Sequence, residues 1–269
     1  MENASNIVHA AQTPAADLLP PQDLQDYVGE GFYREVGAKF LEYFKSLCGL
    51  RPHEAVLDVG CGSGRLAIPL TRYLNGEARY EGFDLSHAAI KWCQENISMH
   101  FPQFRFQVSD VRNDVYAPGE KRRLKASKYT FPYANDSFDF VFLTSVFTHL
   151  VRADMKRYVS EVARVLKPGG RCLATFFLLN AESRELMPQK ALHGLNFKHR
   201  RRGYQTLHHQ PEHGIAFDEG LVRKIYRRRC LKIREPISYG AWCGRETHLT
   251  TQDVVIAVKD STNGLHFSL

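Results

Sequence analysis

The sequence contains no apolar run approaching the ~20 residues that a bilayer-spanning helix requires. Its first stretch, MENASNIVHAAQTPAADLLPPQ, has neither a basic start nor a continuous apolar core, so it does not read as a secretory signal, and a cytoplasmic protein is expected. The six cysteines (Cys48, Cys61, Cys93, Cys172, Cys230 and Cys243) include no C-x-x-C pair. Their scatter excludes a disulfide or zinc framework and fits free thiols in a reducing compartment. There is no internal repeat. His208, His209 and His213 lie close together, but no cysteine or carboxylate pattern accompanies them, so no metal site is expected.

The chain does have enough apolar residue for a large core: 269 residues, 43% hydrophobic and 24% charged, which allows one large domain or two small ones. The formal charge of +7 is concentrated in three runs, Lys121-Arg122-Arg123-Leu124-Lys125, Lys198-His199-Arg200-Arg201-Arg202 and Arg227-Arg228-Arg229. Each is either a solvated face or part of an electropositive rim for an acidic substrate.

Residues 1–22 show no periodicity and are expected to be a mobile tail. Phe32, Val36, Phe40, Tyr43, Phe44 and Leu47 then recur at helical spacing. From residue 55 onward strands and helices alternate. Strands are predicted at 55–59, 80–85, 104–108, 138–144 and 171–179. Between them come a helix built on Leu66, Ala67, Leu70, Tyr73 and Leu74, kinked at Pro69, and a second opened by an N-cap at Ser86. Met155, Tyr158, Val159, Val162, Val165 and Leu166 mark the clearest helix, which stops at Lys167-Pro168-Gly169-Gly170. Asp218 is expected to cap a helix carrying Leu221, Val222, Ile225 and Tyr226, and strands near 231–239 and 253–259 close the chain. The β-α-β-α order predicts a parallel sheet with helices on both faces and right-handed crossovers. The last two strands are expected to form an antiparallel hairpin at one edge. Segments 111–137 and 180–216 interrupt the rhythm and read as insertions, the second as a lid.

The motif with the most chemistry is Asp58-Val59-Gly60-Cys61-Gly62-Ser63-Gly64-Arg65. A buried strand ends in a glycine-rich turn and a helix begins at once, so backbone N–H groups and a helix N-terminus face a ligand with no Cβ in the way. A dinucleotide fingerprint needs a third glycine where Arg65 stands. The pattern instead resembles motif I of the class I, Rossmann-like, S-adenosylmethionine-dependent methyltransferases. Three later pieces match in order. Tyr80-Glu81-Gly82-Phe83-Asp84-Leu85-Ser86 resembles the family's second strand, Val108-Ser109-Asp110-Val111 its third, and Ser137-Phe138-Asp139-Phe140-Val141-Phe142 through Ser145 its fourth. Arg164 to Gly170 resembles a helix-to-strand turn of the family that touches no ligand.

The resemblance covers about residues 30–180. It implies a seven-stranded, mostly parallel sheet with an antiparallel C-terminal hairpin, in a single methyltransferase domain over 23–260 followed by a tail at 261–269. It also implies S-adenosylmethionine as cofactor, held by Asp58, Gly60, Cys61, Gly62, Arg65, Asp84, Leu85, Asp110, Val111 and Ser145. In that assignment Asp84 holds the ribose hydroxyls, Asp110 meets the adenine amino group and Val111 lines the ring. His149, just past the fourth strand, is the candidate general base for an acceptor too weakly nucleophilic to react unaided; otherwise it is a histidine packing beside the cofactor. Tyr204, His208 and Trp242 are candidate walls of the acceptor pocket. The favoured acceptor is a small molecule bearing a hydroxyl, such as a sugar, lipid or secondary metabolite. Nucleic acid is the alternative the basic runs suggest, and a non-catalytic, cofactor-binding scaffold is the third reading. The sequence leaves the oligomeric state open.

Overall fold

Three neighbouring strands are buried on both faces; the first and last in sequence are apolar but for one aspartate each, while the middle one is charged at three of its six positions. In the computed structural model, which describes residues 18–29, 32–113 and 124–261, they are β1 (Ala55–Val59), β2 (Arg79–Asp84) and β4 (Phe138–Leu143). β3 (Phe104–Val108) and β5 (Leu166–Phe176) extend the parallel sheet on either side. The chain returns late to add β10 (Leu231–Ile233) and β11 (Asp253–Lys259), giving a seven-stranded sheet in the order β10-β11-β5-β4-β1-β2-β3. β11 runs antiparallel to both its neighbours, β5 and β10, so the expected antiparallel edge is present.

Alternation along the strands divides the core into two layers. Val56, Tyr80, Phe104 and Phe140 point to one face and pack against α2 (Tyr33–Ser46), α3 (Ala67–Leu70) and α4 (His87–Cys93). Leu57, Val59, Val141 and Cys172 point to the other, against α5 (Arg152–Val165) and α7 (Glu219–Arg227). Ser86 caps α4 as its sequence suggests, accepting from Ala89 N at 3.1 Å.

Several local expectations are corrected. The helix predicted over 66–74 is α-helical only at Ala67–Leu70. Pro69 contributes no N–H, and Tyr73 N bonds Leu70 O at 3.1 Å, so the chain continues in turns. Asp218 precedes α7 but does not cap it with its side chain, pairing with Arg184 instead. The strand predicted at 171–179 leaves the large sheet at Phe176. Leu178–Leu179 forms β6, which pairs with β9 (Ile215–Asp218) in a second sheet of four strands, β6-β9-β8-β7, completed by β8 (Tyr204–Thr206) and β7 (His199–Arg201). The segment 180–216 is therefore built structure. It holds α6 (Ala181–Lys190), opened by a reciprocal capping box between Asn180 and Ser183, and three short strands over a small core of Phe177, Met187, Phe197 and Trp242. An unanticipated short helix, α1 (Gln22–Tyr27), precedes the large sheet. Most of the tail expected at 1–22, the Pro118-Gly119 and Lys121–Arg123 part of the first insertion, and residues 262–269 lie outside the described residues. No helix among the described residues is long and apolar enough to cross a membrane.

Candidate functional site

β1, β2 and β4 end side by side, and their C-terminal ends open into one cavity of about 570 Å³. The loop after β1 turns back on itself with Gly60 at φ 78 and Gly62 at φ 53, conformations that a side chain makes costly. A Cβ on Gly60 would also meet Val146 Cγ2 at 2.6 Å, and one on Gly62 would collide with Val28 Cγ1. The loop is fastened to the end of β2: Gly60 N and Cys61 N donate to Phe83 O at 2.9 and 3.1 Å.

Two carboxylates stand beside this loop. Asp84, at the end of β2, accepts from Gly62 N at 2.9 Å through Oδ2 and from Ser86 N at 2.9 Å and the Tyr27 hydroxyl at 2.7 Å through Oδ1. Asp58 is 1% exposed; Oδ2 accepts from the Tyr80 hydroxyl at 2.6 Å, while Oδ1 is buried with no hydrogen-bond partner. Burial pushes the Asp58 carboxyl up to about 8, against the lowering effect of the Tyr80 hydrogen bond, and the nearby Asp84 carboxylate adds to the rise.

At the end of β4, Ser145 has φ 59, an uncommon conformation for a residue with a side chain. It is held there from two sides: Ser145 N donates to Thr175 Oγ1 at 2.8 Å, and Gln252 Nε2 donates to Ser145 Oγ at 3.0 Å. Four residues on, His149 Nδ1 lies 2.7 Å from the backbone carbonyl of Glu212. A carbonyl only accepts, so Nδ1 carries the proton and Nε2 the lone pair. Burial lowers the His149 pKa, against the raising effect of the Glu212 carbonyl and with nearby His213 adding to the fall, which favours the neutral imidazole.

Residues 57–174 match the family model described as methyltransferase domain. The matched stretch is a little under half of the chain. Among curated proteins, a phthiotriol/phenolphthiotriol dimycocerosates methyltransferase of Mycobacterium ulcerans is 35% identical over 120 residues, 45% of this chain and 36% of that protein. A polyketide synthase-nonribosomal peptide synthetase of Aspergillus clavatus is 26% identical over 187 residues, 68% of this chain and 4% of that protein. The match to the mycobacterial proteins thus spans about a third of their length. Two solved structures share the fold. PH0226 of Pyrococcus horikoshii aligns with TM-score 0.58 at 18% identity, covering 88% of this chain and 95% of its own. The Burkholderia thailandensis 1,6-didemethyltoxoflavin-N1-methyltransferase aligns with TM-score 0.54 at 16% identity, covering 85% and 78%.

The fold brings most of the sequence-nominated residues to one cavity. Asp58, Gly60, Cys61, Gly62, Arg65, Asp84, Leu85, Val111, Ser145 and His149 all line it. Asp110 does not: it is exposed at the end of β3, and its neighbours Ser109 and Val111 form the wall. None of the three nominated acceptor residues lines the cavity either. Tyr204 packs on Phe217 with ring centroids 5.7 Å apart, and His208 is exposed. Trp242 is fully buried between Phe177 and Phe197 and donates through Nε1 to Asp253 at 2.8 Å. No residue of the second or third basic run lines the cavity.

Sequence reasoning missed Tyr27 and Val28, Asp154, Glu212 and Gln252, all on the cavity wall. Glu212 adjoins the histidine cluster that drew attention in the sequence. Gln252 and Tyr27 carry no such signal, since the partners that define them, Ser145 and Asp84, are far away along the chain.

Proposed function

We propose that this chain is an S-adenosylmethionine-dependent methyltransferase that methylates a hydroxyl of a small, largely apolar molecule. The observation that carries the reading is the convergence of Asp58, the Gly60–Gly62 turn and Asp84 on one cavity. Their chemistry fits an adenosylated amino acid. A side-chain-free turn admits a ligand against the backbone, Asp84 offers acceptors to a ribose diol, and the orphaned, buried Oδ1 of Asp58 wants a cationic donor such as an ammonium group. Val111 and Leu85 would flank the adenine, and Arg65 would meet a carboxylate. When bound, S-adenosylmethionine supplies an electrophilic sulfonium methyl.

The chain's own part in the reaction is orientation, exclusion of water and removal of one proton. The acceptor hydroxyl would enter near Ser145 and His149, and the Nε2 lone pair of His149 would take its proton as the oxygen is alkylated. Burial disfavours the charged imidazolium, so the base is neutral and ready near neutral pH. The walls contributed by residues 144–252 are apolar at Val146, Leu150, Phe177, Leu195 and Leu207, and contain Asp154 and Glu212 but no lysine or arginine. That balance favours an uncharged acceptor and opposes a phosphate-bearing one such as nucleic acid. The mycobacterial relatives are named for lipid acceptors, which agrees with an apolar pocket.

Two results are expected. The first concerns Asp58. With no cation beside it the carboxyl holds a proton near neutral pH, because its pKa is raised to about 8. A ligand ammonium favours the carboxylate, so binding of S-adenosylhomocysteine near pH 7 should release a proton and tighten as the pH rises toward 8. Calorimetry in two buffers of different ionisation enthalpy reads this directly. Binding with no proton release would remove Asp58 as the ammonium ligand. The second concerns His149. His149→Ala should lower kcat about a hundred- to ten-thousandfold while leaving S-adenosylhomocysteine affinity within about twofold. Wild-type turnover in that variant would remove it as the base.

A further inference from the structure

Asp84 is already engaged by a residue far away in sequence. Tyr27, at the end of α1, donates its hydroxyl to Oδ1 at 2.7 Å, and Ser86 N donates to the same oxygen at 2.9 Å. Gly62 N donates to Oδ2 at 2.9 Å. A carboxylate offers roughly two acceptor sites on each oxygen. With Tyr27 in place, Oδ1 is filled and Oδ2 retains one site. A vicinal diol gripped in a fork needs a site on each oxygen, so its second hydroxyl and the Tyr27 hydroxyl compete for the same place.

The segment that carries Tyr27 lies across the glycine-rich loop. Ser63 Oγ donates to Leu24 O at 2.8 Å and Arg65 Nη1 to Gly29 O at 3.4 Å, while Val28 occupies the space a side chain on Gly62 would need. Asp26, Tyr27, Val28 and Gly29 form part of the cavity wall. α1 has no fully buried residue, no side-chain N-cap and only six residues, so it has little stability of its own beyond such contacts.

We propose that Tyr27 stands in for a ribose hydroxyl on Asp84, making residues 22–29 a strap over the cofactor site that an adenosyl ligand must displace. This rests on the reading of Asp84 as the ribose acid. Loss of the Tyr27 hydroxyl removes the competitor without touching the diol's own bonds, so Tyr27→Phe should bind ribose-containing ligands more tightly than wild type. A diol-free ligand has no use for the vacated site and should gain nothing.

The test titrates wild type, Tyr27→Phe and Asp84→Ala with S-adenosylhomocysteine, and wild type and Tyr27→Phe with its 2′,3′-dideoxyribose analogue. Amide exchange over residues 22–29 is followed in wild type. The expected results are a gain of about three- to tenfold in Tyr27→Phe for S-adenosylhomocysteine, the scale of one net hydrogen bond, no gain for the dideoxy analogue, and faster exchange over 22–29 in saturated wild type. Unchanged or weaker S-adenosylhomocysteine binding in Tyr27→Phe, with slower exchange over 22–29 on saturation, would overturn the strap and make Tyr27 a permanent part of the bound site. The two readings fail separately. Absence of binding to wild type would bring down the cofactor assignment, whereas wild-type binding lost in Asp84→Ala but not improved in Tyr27→Phe would bring down the strap alone.

Discussion

Replacing Asp84 with alanine is expected to weaken S-adenosylhomocysteine binding at least a hundredfold, roughly 3 kcal/mol, with little change in the melting of the large sheet. The magnitude follows from what the carboxylate does. A hydrogen bond to a charged acceptor contributes about 1.5–3 kcal/mol, and a diol makes two of them with one group. Asp84 is only 8% exposed, so water replaces the lost acceptor poorly. The variant also strips Gly62 N of its partner, which loosens the turn that the ligand would contact. Both effects act in the same direction on affinity. The sheet itself is held by the apolar layers on its two faces, in which the Asp84 side chain takes no part. Calorimetric titration of the wild type and the variant, beside a thermal melt of each, separates the two outcomes. Wild-type affinity in the alanine variant would end the assignment of Asp84 to the ribose. Loss of affinity together with a collapsed melting temperature would show a structural carboxylate instead.

The parts of this fold that were legible are those in which local chemistry and burial say the same thing. β1 and β4 are buried along nearly their whole length and are apolar but for Asp58 and Asp139, whereas β2, just as buried, carries Arg79, Glu81 and Asp84 and is marked by the family motif it resembles. The glycine-rich turn is legible because its backbone conformations exclude most other residues. The antiparallel edge was expected from the last two strands, and the seven-stranded, mostly parallel sheet from the family resemblance, which motif I carries. The second sheet was opaque for a physical reason. Its strands are two to four residues long, and β7 is His199-Arg200-Arg201, which has no apolar face to betray a period. Such strands form because the core beneath them, built from Phe177, Met187, Phe197 and Trp242, gathers residues from distant parts of the chain. Asp110 illustrates a finer limit. The end of β3 was correctly placed, but which of three successive residues faces the cavity depends on the twist of the chain beyond the strand, and Ser109 and Val111 face it. The contacts of Tyr27 with Asp84 and Gln252 with Ser145 span 57 and 107 residues and leave no local trace.

Trp242 shows how an aromatic residue can be read two ways and how energetics decides between them. A tryptophan in a glycine-flanked stretch near the end of the chain suits an acceptor wall as well as a core. In the fold it fills the centre of the small core, edge-on to Phe177 and Phe197 at 5.4 and 5.6 Å between ring centroids. Its Nε1–H is one of several donors converging on Asp253, a fully buried carboxylate that also accepts from Leu178 N at 2.6 Å, Gly240 N at 2.7 Å and Arg245 Nη1 at 3.2 Å. This cluster ties the start of the small sheet to the start of β11 and so to the large one. Trp242→Ala should therefore cost about 3–5 kcal/mol, the range for deleting a buried aromatic side chain, with a fall in Tm of roughly 10 °C or more. Trp242→Phe retains most of the packing and loses one hydrogen bond to a charged acceptor, for about 1–3 kcal/mol. Trp242 meets the cavity wall through Phe177, away from the glycine-rich turn and Asp84, so S-adenosylhomocysteine affinity measured well below the lowered Tm should stay within about twofold. The order of the two losses matters, because a wall residue would reverse it: acceptor turnover would fall while Tm held. A variant with wild-type Tm and lost turnover would return Trp242 to the acceptor pocket. A destabilised variant with intact ligand affinity would leave the tryptophan as the joint through which the small sheet holds Glu212, and with it the His149 imidazole, in place.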